Sequence, residues 1–228
     1  MVTWRRVTIA PMESTLSASP KPQLRGVFHQ VSFFIALAAG AWLLTRADGT
    51  MFWACVVYLV SLCGQFAVSA LYHRLTWAPK ARQWWRRLDH SFIMILIAGT
   101  GTPLAVALPS EATRSFLMLL WGGAALGVLR AMVWITAPKP LVAVLALALA
   151  WFSYPFMPAL NSVMGTTSVV FFLGGGVIYS LGAVAYALKK PDPWPAVFGY
   201  HEVFHTLVCL GAAGHFVAVA RVVLGMTG

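Results

Sequence analysis

The chain has 228 residues, of which 60% are apolar and only 10% are charged. Soluble globular domains carry about 25% charged residues, and the six Asp and Glu residues found here are too few to keep a water-exposed surface soluble. The mean hydropathy of +0.78 agrees. This composition excludes a disordered chain, a secreted disulfide scaffold and an ordinary cytosolic enzyme. It predicts an all-α, polytopic membrane protein.

Seven apolar stretches are long enough to cross a bilayer as helices. A spanning helix needs about 20 mostly apolar residues, because its backbone polar groups must pair with one another where water is absent. The predicted spans are 27–45, 51–73, 90–108, 115–136, 140–160, 166–188 and 200–224. They are expected to form one seven-transmembrane helix bundle over residues 27–228. Residues 1–26 are rich in Ser, Thr and Pro and are predicted to be a disordered cytoplasmic tail.

The distribution of positive charge predicts the orientation of this bundle. Thirteen of the 16 Lys and Arg residues fall in the tail and in the loops after the second, fourth and sixth spans, with their flanks. Cytoplasmic loops are enriched in Lys and Arg, so we expect the N-terminus in the cytoplasm and the C-terminus outside. The net charge of +10 then reflects topology and contact with anionic lipid headgroups. Nucleic-acid binding, which the run RQWWRR would otherwise suggest, is not expected.

Five of the six histidines are predicted to lie at one depth of the membrane. In this orientation the second span ends at the cytoplasmic face with SALYH (69–73), the third begins there with LDHS (88–91), and the seventh begins there with HEVFH (201–205). His29 opens the first span at the same level, whereas His215 lies about 15 Å beyond His205 along its helix. Ionisable groups inside a bilayer are costly and usually serve a function, so this cluster marks the candidate site.

The spacing of these histidines predicts a metal centre. His201 and His205 are one helical turn apart on the same face, so both can bind one ion, and His73 can supply a third ligand. Three histidines and a water molecule are typical of catalytic zinc, which lowers the pKa of its water to about 7. We therefore predict Zn²⁺ as the cofactor, although imidazole also suits iron, nickel or copper. Ser69 and Asp89 are the predicted catalytic residues: Ser69 would position the water or polarise a carbonyl, and Asp89 would accept a proton or orient a ligand imidazole.

The segment from His201 to His205 also matches HExxH, the zincin signature, in which Glu202 would be the general base. Intramembrane zinc proteases with this motif also place an Asp in an apolar segment near Gly or Pro, and none of the three Asp residues here has that context. A protease is therefore the weaker interpretation. For the remaining polar residues the simpler interpretation is a hydrogen-bonded packing role or an exposed position at headgroup level; these residues are His29, His90, His215 and Glu202.

The order SxxxH, then Asp, then HxxxH, on seven spans with an inside N-terminus, resembles the haemolysin III family, the bacterial branch of the progestin and adiponectin receptor (PAQR) family. The resemblance covers nearly the whole chain from about residue 25. It implies that the three histidines bind zinc, that Ser69 and Asp89 lie beside the metal, and that the protein resides in a bacterial inner membrane. His29 matches a histidine of the first span, but the stretch PQLRGVFHQ lacks the acidic residues that bacterial members commonly carry before it.

The resemblance also implies an activity. Related eukaryotic receptors look like zinc-dependent amidases of ceramide-like lipids, so we expect a metal-dependent hydrolase of a lipid amide or ester, with membrane lipids as partners and substrate. Two non-enzymatic alternatives remain open, a pore-forming haemolysin and a regulator of membrane state that uses zinc structurally. A proton-coupled transporter with histidine relays is less favoured, because the sequence shows no internal repeat of the kind such proteins often carry. The oligomeric state is left open.

Overall fold

The computed structural model describes residues 21–226. Most of the predicted disordered tail therefore lies outside the described residues. Within the described part the chain forms seven α-helices and no β-strand. The helices are α1 (Val27–Leu44), α2 (Gly49–Arg74), α3 (Pro79–Val106), α4 (Ser110–Val133), α5 (Lys139–Trp151), α6 (Met157–Leu188) and α7 (Tyr200–Val223), with a 3-10 turn at Tyr154–Phe156 between α5 and α6.

Six segments within residues 21–226 are long and apolar enough to cross a membrane. Five of them are single helices, α1 to α4 and α7, and the sixth is the 50-residue segment Lys139–Leu188, which contains α5 and α6. Large apolar side chains on the outside of the bundle are freely accessible: Phe34 is 63% exposed, Leu126 70% and Val133 74%. A soluble protein rarely exposes so much contiguous apolar surface. The prediction of an all-α polytopic membrane protein is therefore confirmed.

The prediction of one continuous helix over residues 140–160 is wrong. Helix α5 ends at Trp151, and the chain passes through the 3-10 turn before α6 begins at Met157. Pro155 explains the break, because its ring would clash with the carbonyl of the residue four positions earlier, which is Trp151. At the break the Ser153 hydroxyl donates a hydrogen bond of 2.8 Å to the carbonyl of Ala150.

Helix α6 is itself divided by Gly165, whose φ of 74° and ψ of 159° are not helical. A positive φ is accessible to glycine at little cost, whereas most other residues would be strained there. The part of α6 after this glycine coincides with the predicted sixth span, 166–188.

Glycines allow the helices around the site to approach closely. A Cβ atom at Gly175 of α6 would lie 2.9 Å from the carbonyl oxygen of Gly211 in α7, and one at Gly214 would lie 3.2 Å from that of Phe171. Small residues at such positions are the usual means of tight helix packing in membranes. Helix α7 is therefore held firmly against α6.

One end of the bundle gathers the predicted site. Helix α2 ends there at Arg74, while α1 and α7 begin there at Val27 and Tyr200. We call this the histidine end. Residues 21–25 cross it and pair with the loop between α6 and α7 through hydrogen bonds of 3.1 Å from the amides of Gln23 and Leu24.

Candidate metal centre

Three histidines from two helices converge at the histidine end. His73 lies in the last turn of α2, and His201 and His205 lie in the first two turns of α7. One ring nitrogen from each residue falls within 4.8 Å of the other two. In residues 21–226 this is the group of His, Cys, Asp or Glu side chains that can hold a metal ion.

The spacing of the donor atoms fits a shared ion. The Nε2 atoms of His73 and His201 are 3.2 Å apart. Two nitrogens on one tetrahedral zinc lie about 3.3–3.4 Å apart, because each Zn–N bond is about 2.0–2.1 Å long. The ring centroid of His205 is 4.5 Å from that of His201 and 5.0 Å from that of His73. The three imidazoles therefore form a donor set that could hold a metal ion.

Both predicted catalytic residues lie beside this donor set. The Oδ2 atom of Asp89 is 3.9 Å from the Nε2 atom of His73. Its Oδ1 atom is enclosed and has no hydrogen-bond partner among the described residues. Ser69 lies one helical turn before His73 and lines the same cavity as Asp89. The two side chains are buried, and the Oδ2 atom is the Asp89 oxygen shown to lie near the histidines.

Glu202 has a different place from the one that the zincin pattern assigns. Its Oε2 atom accepts a hydrogen bond of 2.9 Å from the amide of Gly199, which caps the N-terminus of α7. Its other oxygen pairs with the guanidinium of Arg25. The simpler interpretation, an exposed acid at headgroup level, is also wrong, because Glu202 is only 1% exposed. With both oxygens engaged, Glu202 holds the start of α7 in place.

The other three histidines differ in their partners. The Nδ1 atom of His90 lies 2.8 Å from the carbonyl oxygen of Arg86, and the Nε2 atom of His215 lies 2.9 Å from that of Phe172. Both are hydrogen-bonded inside the bundle, as interpreted from the sequence for His215; His90, interpreted as a wet residue at headgroup level, is instead only 8% exposed. His29 is not hydrogen-bonded: neither of its ring nitrogens has a partner among the described residues, and its ring stacks on that of His205.

A cavity of about 690 Å³ is lined by the three histidines together with basic and apolar residues. Toward the histidine end its wall is basic; the cationic residues there are Lys21, Arg25, Arg82, Arg86 and Lys139. Deeper in the bundle the wall is largely apolar and includes Ile93, Leu96, Ile97, Leu120, Val142 and Leu173. Ligand sites are typically about 300–1,000 Å³ in volume, so the cavity is large enough for a lipid-sized molecule.

Membrane-crossing helices that enclose a histidine cluster and a deep cavity define a polytopic membrane protein with a candidate metal centre. The chain belongs to the haemolysin III family, because the family profile described as "Haemolysin-III related" matches residues 18–216. It is 29% identical to the "Hemolysin-3 homolog" of Bacillus subtilis (strain 168) over 72% of this chain and 74% of that protein. It is 27% identical to "Hemolysin-3" of Bacillus cereus over 75% of each chain.

A plant protein extends the relationship. A segment of 49 residues is 43% identical to the "Heptahelical transmembrane protein ADIPOR2" of Oryza sativa subsp. japonica, which covers 19% of this chain and 21% of that protein. The resemblance to the haemolysin III and PAQR group is therefore confirmed. The roles of the individual site residues stay predictions.

Three features of the site were not foreseen from the sequence. They are the stacking of His29 on His205, the ion pair between Arg25 and Glu202, and the basic wall of the cavity. Only the basic wall had a sequence signal, because the Lys and Arg residues were already predicted to gather at the cytoplasmic face.

Proposed function

We propose that this protein is a metal-dependent hydrolase of a lipid amide or ester, with Zn²⁺ bound by His73, His201 and His205. The observation that carries the proposal is the convergence of three imidazoles beside the Asp89 carboxylate, on the wall of a cavity with a deep apolar arm. A zinc ion bound there supplies a Lewis acid that polarises a carbonyl group and activates water for attack. The substrate would enter from the bilayer, with its acyl chain in the apolar arm.

Side chains of the protein would then carry out the proton transfer. The Oδ2 atom of Asp89, which lies 3.9 Å from the Nε2 atom of His73, would accept the proton of the attacking water and return it to the leaving amine or alcohol. Ser69, which lines the same cavity one helical turn before His73, would position the water or the substrate carbonyl. Arg25 and Glu202 would serve only to hold the start of α7, and with it two of the three ligands.

We further propose seven membrane crossings, with the N-terminus in the cytoplasm and the protein in the bacterial inner membrane. The 50-residue segment would cross twice, because Lys139 at the start of α5 lies beside Tyr186 near the end of α6, while Trp151 at the end of α5 hydrogen bonds to Ser180 farther back in α6. The two parts therefore run in opposite directions. The name of the rice relative, "heptahelical", is consistent with seven crossings, and the Lys and Arg distribution favours an inside N-terminus.

The metal part of the proposal is tested by elemental analysis of the purified protein. We expect about one zinc ion per chain in the wild type and a large loss in His73→Ala and in His205→Ala. His90→Ala is the matched control, since His90 hydrogen bonds within its own helix and should retain the metal. Unchanged metal content in both ligand variants would refute the proposed metal centre and the reaction that depends on it.

The reaction is tested with Asp89→Asn in zwitterionic nanodiscs. This variant should keep its zinc while release of fatty acid from a long-chain lipid amide falls at least about 100-fold, the usual scale for loss of a general base. Turnover at the wild-type rate would show that Asp89 has no part in proton transfer. The control is Asp48→Asn, which alters the residue that precedes α2 and is absent from the cavity wall.

The names of the Bacillus relatives favour membrane lysis as the second candidate function. A lytic protein would release dye from vesicles equally well as wild type and as Asp89→Asn. A structural zinc would also behave differently from a catalytic one, because chelation would unfold the bundle. We expect instead that chelation abolishes turnover, leaves the helical circular dichroism intact and is reversed by added zinc.

A further inference from the structure

The cavity wall at the histidine end carries more positive charge than the described carboxylates balance. Five cations line it, whereas Asp89 is its only carboxylate among residues 21–226. In the same part of the chain the ion pairs with a carboxylate are Arg25–Glu202 and His73–Asp89. Lys21, Arg82, Arg86 and Lys139 therefore face the cavity without an acidic partner within 4.0 Å among the described residues.

Two of these cations, Arg86 of α3 and Lys139 of α5, line the cavity from different helices. Neither is paired with a carboxylate within 4.0 Å among the described residues. Cationic groups on an enclosed wall are costly unless an anion or hydrogen-bond acceptors satisfy them. We call Arg86 and Lys139 the cationic cluster.

Lys139 places this cluster next to the metal centre. Its Nζ atom donates a hydrogen bond of 3.1 Å to the hydroxyl of Tyr200 and lies 4.6 Å from the ring centroid of Tyr186. Tyr200 immediately precedes the ligand His201. An anion held by Lys139 would therefore lie close to a carbonyl bound at the centre, within the same small molecule.

The opposite arm of the cavity has the length of one acyl chain. Along α3 its wall runs from Asp89 to Gly101, which is about 18 Å at the rise of an α-helix. A lipid chain occupies half of a hydrocarbon core that is about 30 Å thick, or about 15 Å. The volume of about 690 Å³ suits one chain with a small headgroup better than a phospholipid with two chains.

We infer that the substrate is a single-chain acyl lipid with an anionic group, a carboxylate or phosphate, next to its scissile amide or ester. Arg86 and Lys139 bind the anion, the histidine centre receives the carbonyl, and the apolar arm holds the chain. The inference rests on the proposed hydrolase for the reaction, but its recognition step depends only on the cavity. A neutral ceramide-like lipid would leave the cationic cluster unsatisfied.

Lys and Arg at this end are also expected from topology alone, so the test needs a charge that does not line the cavity. Lys80 is such a residue: it is exposed, lies in the first turn of α3 and is absent from the cavity wall. Lys80→Gln therefore removes the same charge from the surface that Lys139→Gln removes from the cavity. Arg86→Gln provides a second cavity variant from another helix.

The experiment measures binding of two matched probes to the full-length protein in phosphatidylcholine nanodiscs. N-palmitoylglycine carries a carboxylate beside its amide, and N-palmitoylethanolamine carries a neutral hydroxyl on the same chain. We expect the wild type to prefer N-palmitoylglycine by about tenfold or more, the scale of a hydrogen bond to a charged group. Lys139→Gln and Arg86→Gln should each lose most of this preference, while Lys80→Gln keeps it. Zinc content at the wild-type level shows that each variant is folded.

The other possible outcomes would each contradict one part of the proposal. Equal affinity for the two probes, or an equal loss in Lys80→Gln, would overturn the anionic substrate. Displacement of N-palmitoylglycine by millimolar inorganic phosphate or acetate would show that a free anion, rather than a lipid headgroup, occupies the cluster. Selective binding of N-palmitoylglycine without its hydrolysis would support the recognition step and refute the hydrolase, so the two proposals fail separately.

Discussion

The imidazole of His29 lies parallel to that of His205, with ring centroids 3.9 Å apart and an angle of 2° between the planes. His29 is only 1% exposed, and neither of its nitrogens has a hydrogen-bond partner among the described residues. Helix α1 thus contributes a flat surface that packs against the ring of His205, one of the three proposed ligands. This contact ties the first helix to a centre whose three proposed ligands come from α2 and α7.

Replacement of His29 separates stacking from direct metal binding. His29→Ala removes the surface behind His205, and we expect zinc affinity to fall about 10- to 100-fold, the usual effect of losing a group that orients a ligand. His29→Phe keeps a flat ring at the same place and should lose no more than a few-fold. Zinc affinity is measured by competition with a chromophoric chelator. If His29→Phe weakens zinc as much as His29→Ala does, then His29 binds the metal itself.

The ion pair between Arg25 and Glu202 should stabilise the histidine end. Breaking a buried pair leaves an uncompensated charge, but the Arg25 side chain is 23% exposed, so water offsets part of the loss. We expect Arg25→Met or Glu202→Gln to lower the free energy of unfolding by about 1–3 kcal/mol, measured by thermal unfolding in detergent. Lys80→Met, which removes a surface charge without a described partner, is the control.

The same pair can be tested for direct coupling. The double variant Arg25→Met, Glu202→Gln should be less destabilised than the sum of the two single variants, because the second change removes a charge that the first left unpaired. Strict additivity would mean that the two side chains do not interact. Glu202→Gln should also keep its zinc, since its carboxylate caps α7 and is not a proposed ligand.

Much of the centre could be predicted from the sequence because helix periodicity and membrane depth are local properties. The interval between His201 and His205 places both on one face of a helix, and the alternation of spans brings His73 and Asp89 to the same end. In the structure these residues lie together. The spacing of two histidines and the predicted topology were therefore enough to bring these residues to one place.

Other features depend on tertiary contacts that no local pattern specifies. Arg25 and Glu202 are 177 residues apart, and the stacking of His29 on His205 depends on the rotation of α1 about its own axis. The break after Trp151 did have a signal, because a proline lies four residues on. The long apolar run around it favoured a continuous span, and that stronger pattern hid the effect of Pro155.

Ser69 should act on turnover and not on metal binding. Ser69 lines the same cavity as Asp89 and is not a proposed ligand, so Ser69→Ala should leave zinc content unchanged and lower kcat about 10- to 100-fold, with little change in KM. Ser61→Ala, on the same helix, is the control, because the Ser61 hydroxyl donates to the Val57 carbonyl within α2. Loss of zinc in Ser69→Ala would instead make Ser69 part of the metal-binding structure.

Close packing of α6 against α7 should also control the centre, because α7 carries two of the three proposed ligands. Gly174 and Gly175 provide a matched pair of adjacent glycines in α6. A Cβ at Gly175 would lie 2.9 Å from the carbonyl oxygen of Gly211, whereas a Cβ at Gly174 would meet nothing within 4 Å. Gly175→Ala therefore forces the two helices apart and should destabilise the protein by about 1–3 kcal/mol, the cost of overpacking.

Gly174→Ala should have the opposite effect on the stability of the protein. The side chain enters open space, and alanine favours a helix over glycine by about 0.8–1.0 kcal/mol, so its thermal stability should equal or exceed that of the wild type. Because Gly175→Ala displaces α7 along its contact with α6, it should also weaken zinc, measured with the same chelator competition, while Gly174→Ala leaves zinc affinity unchanged. Equal effects of the two substitutions on stability and zinc would mean that the distance between α6 and α7 does not control the metal centre.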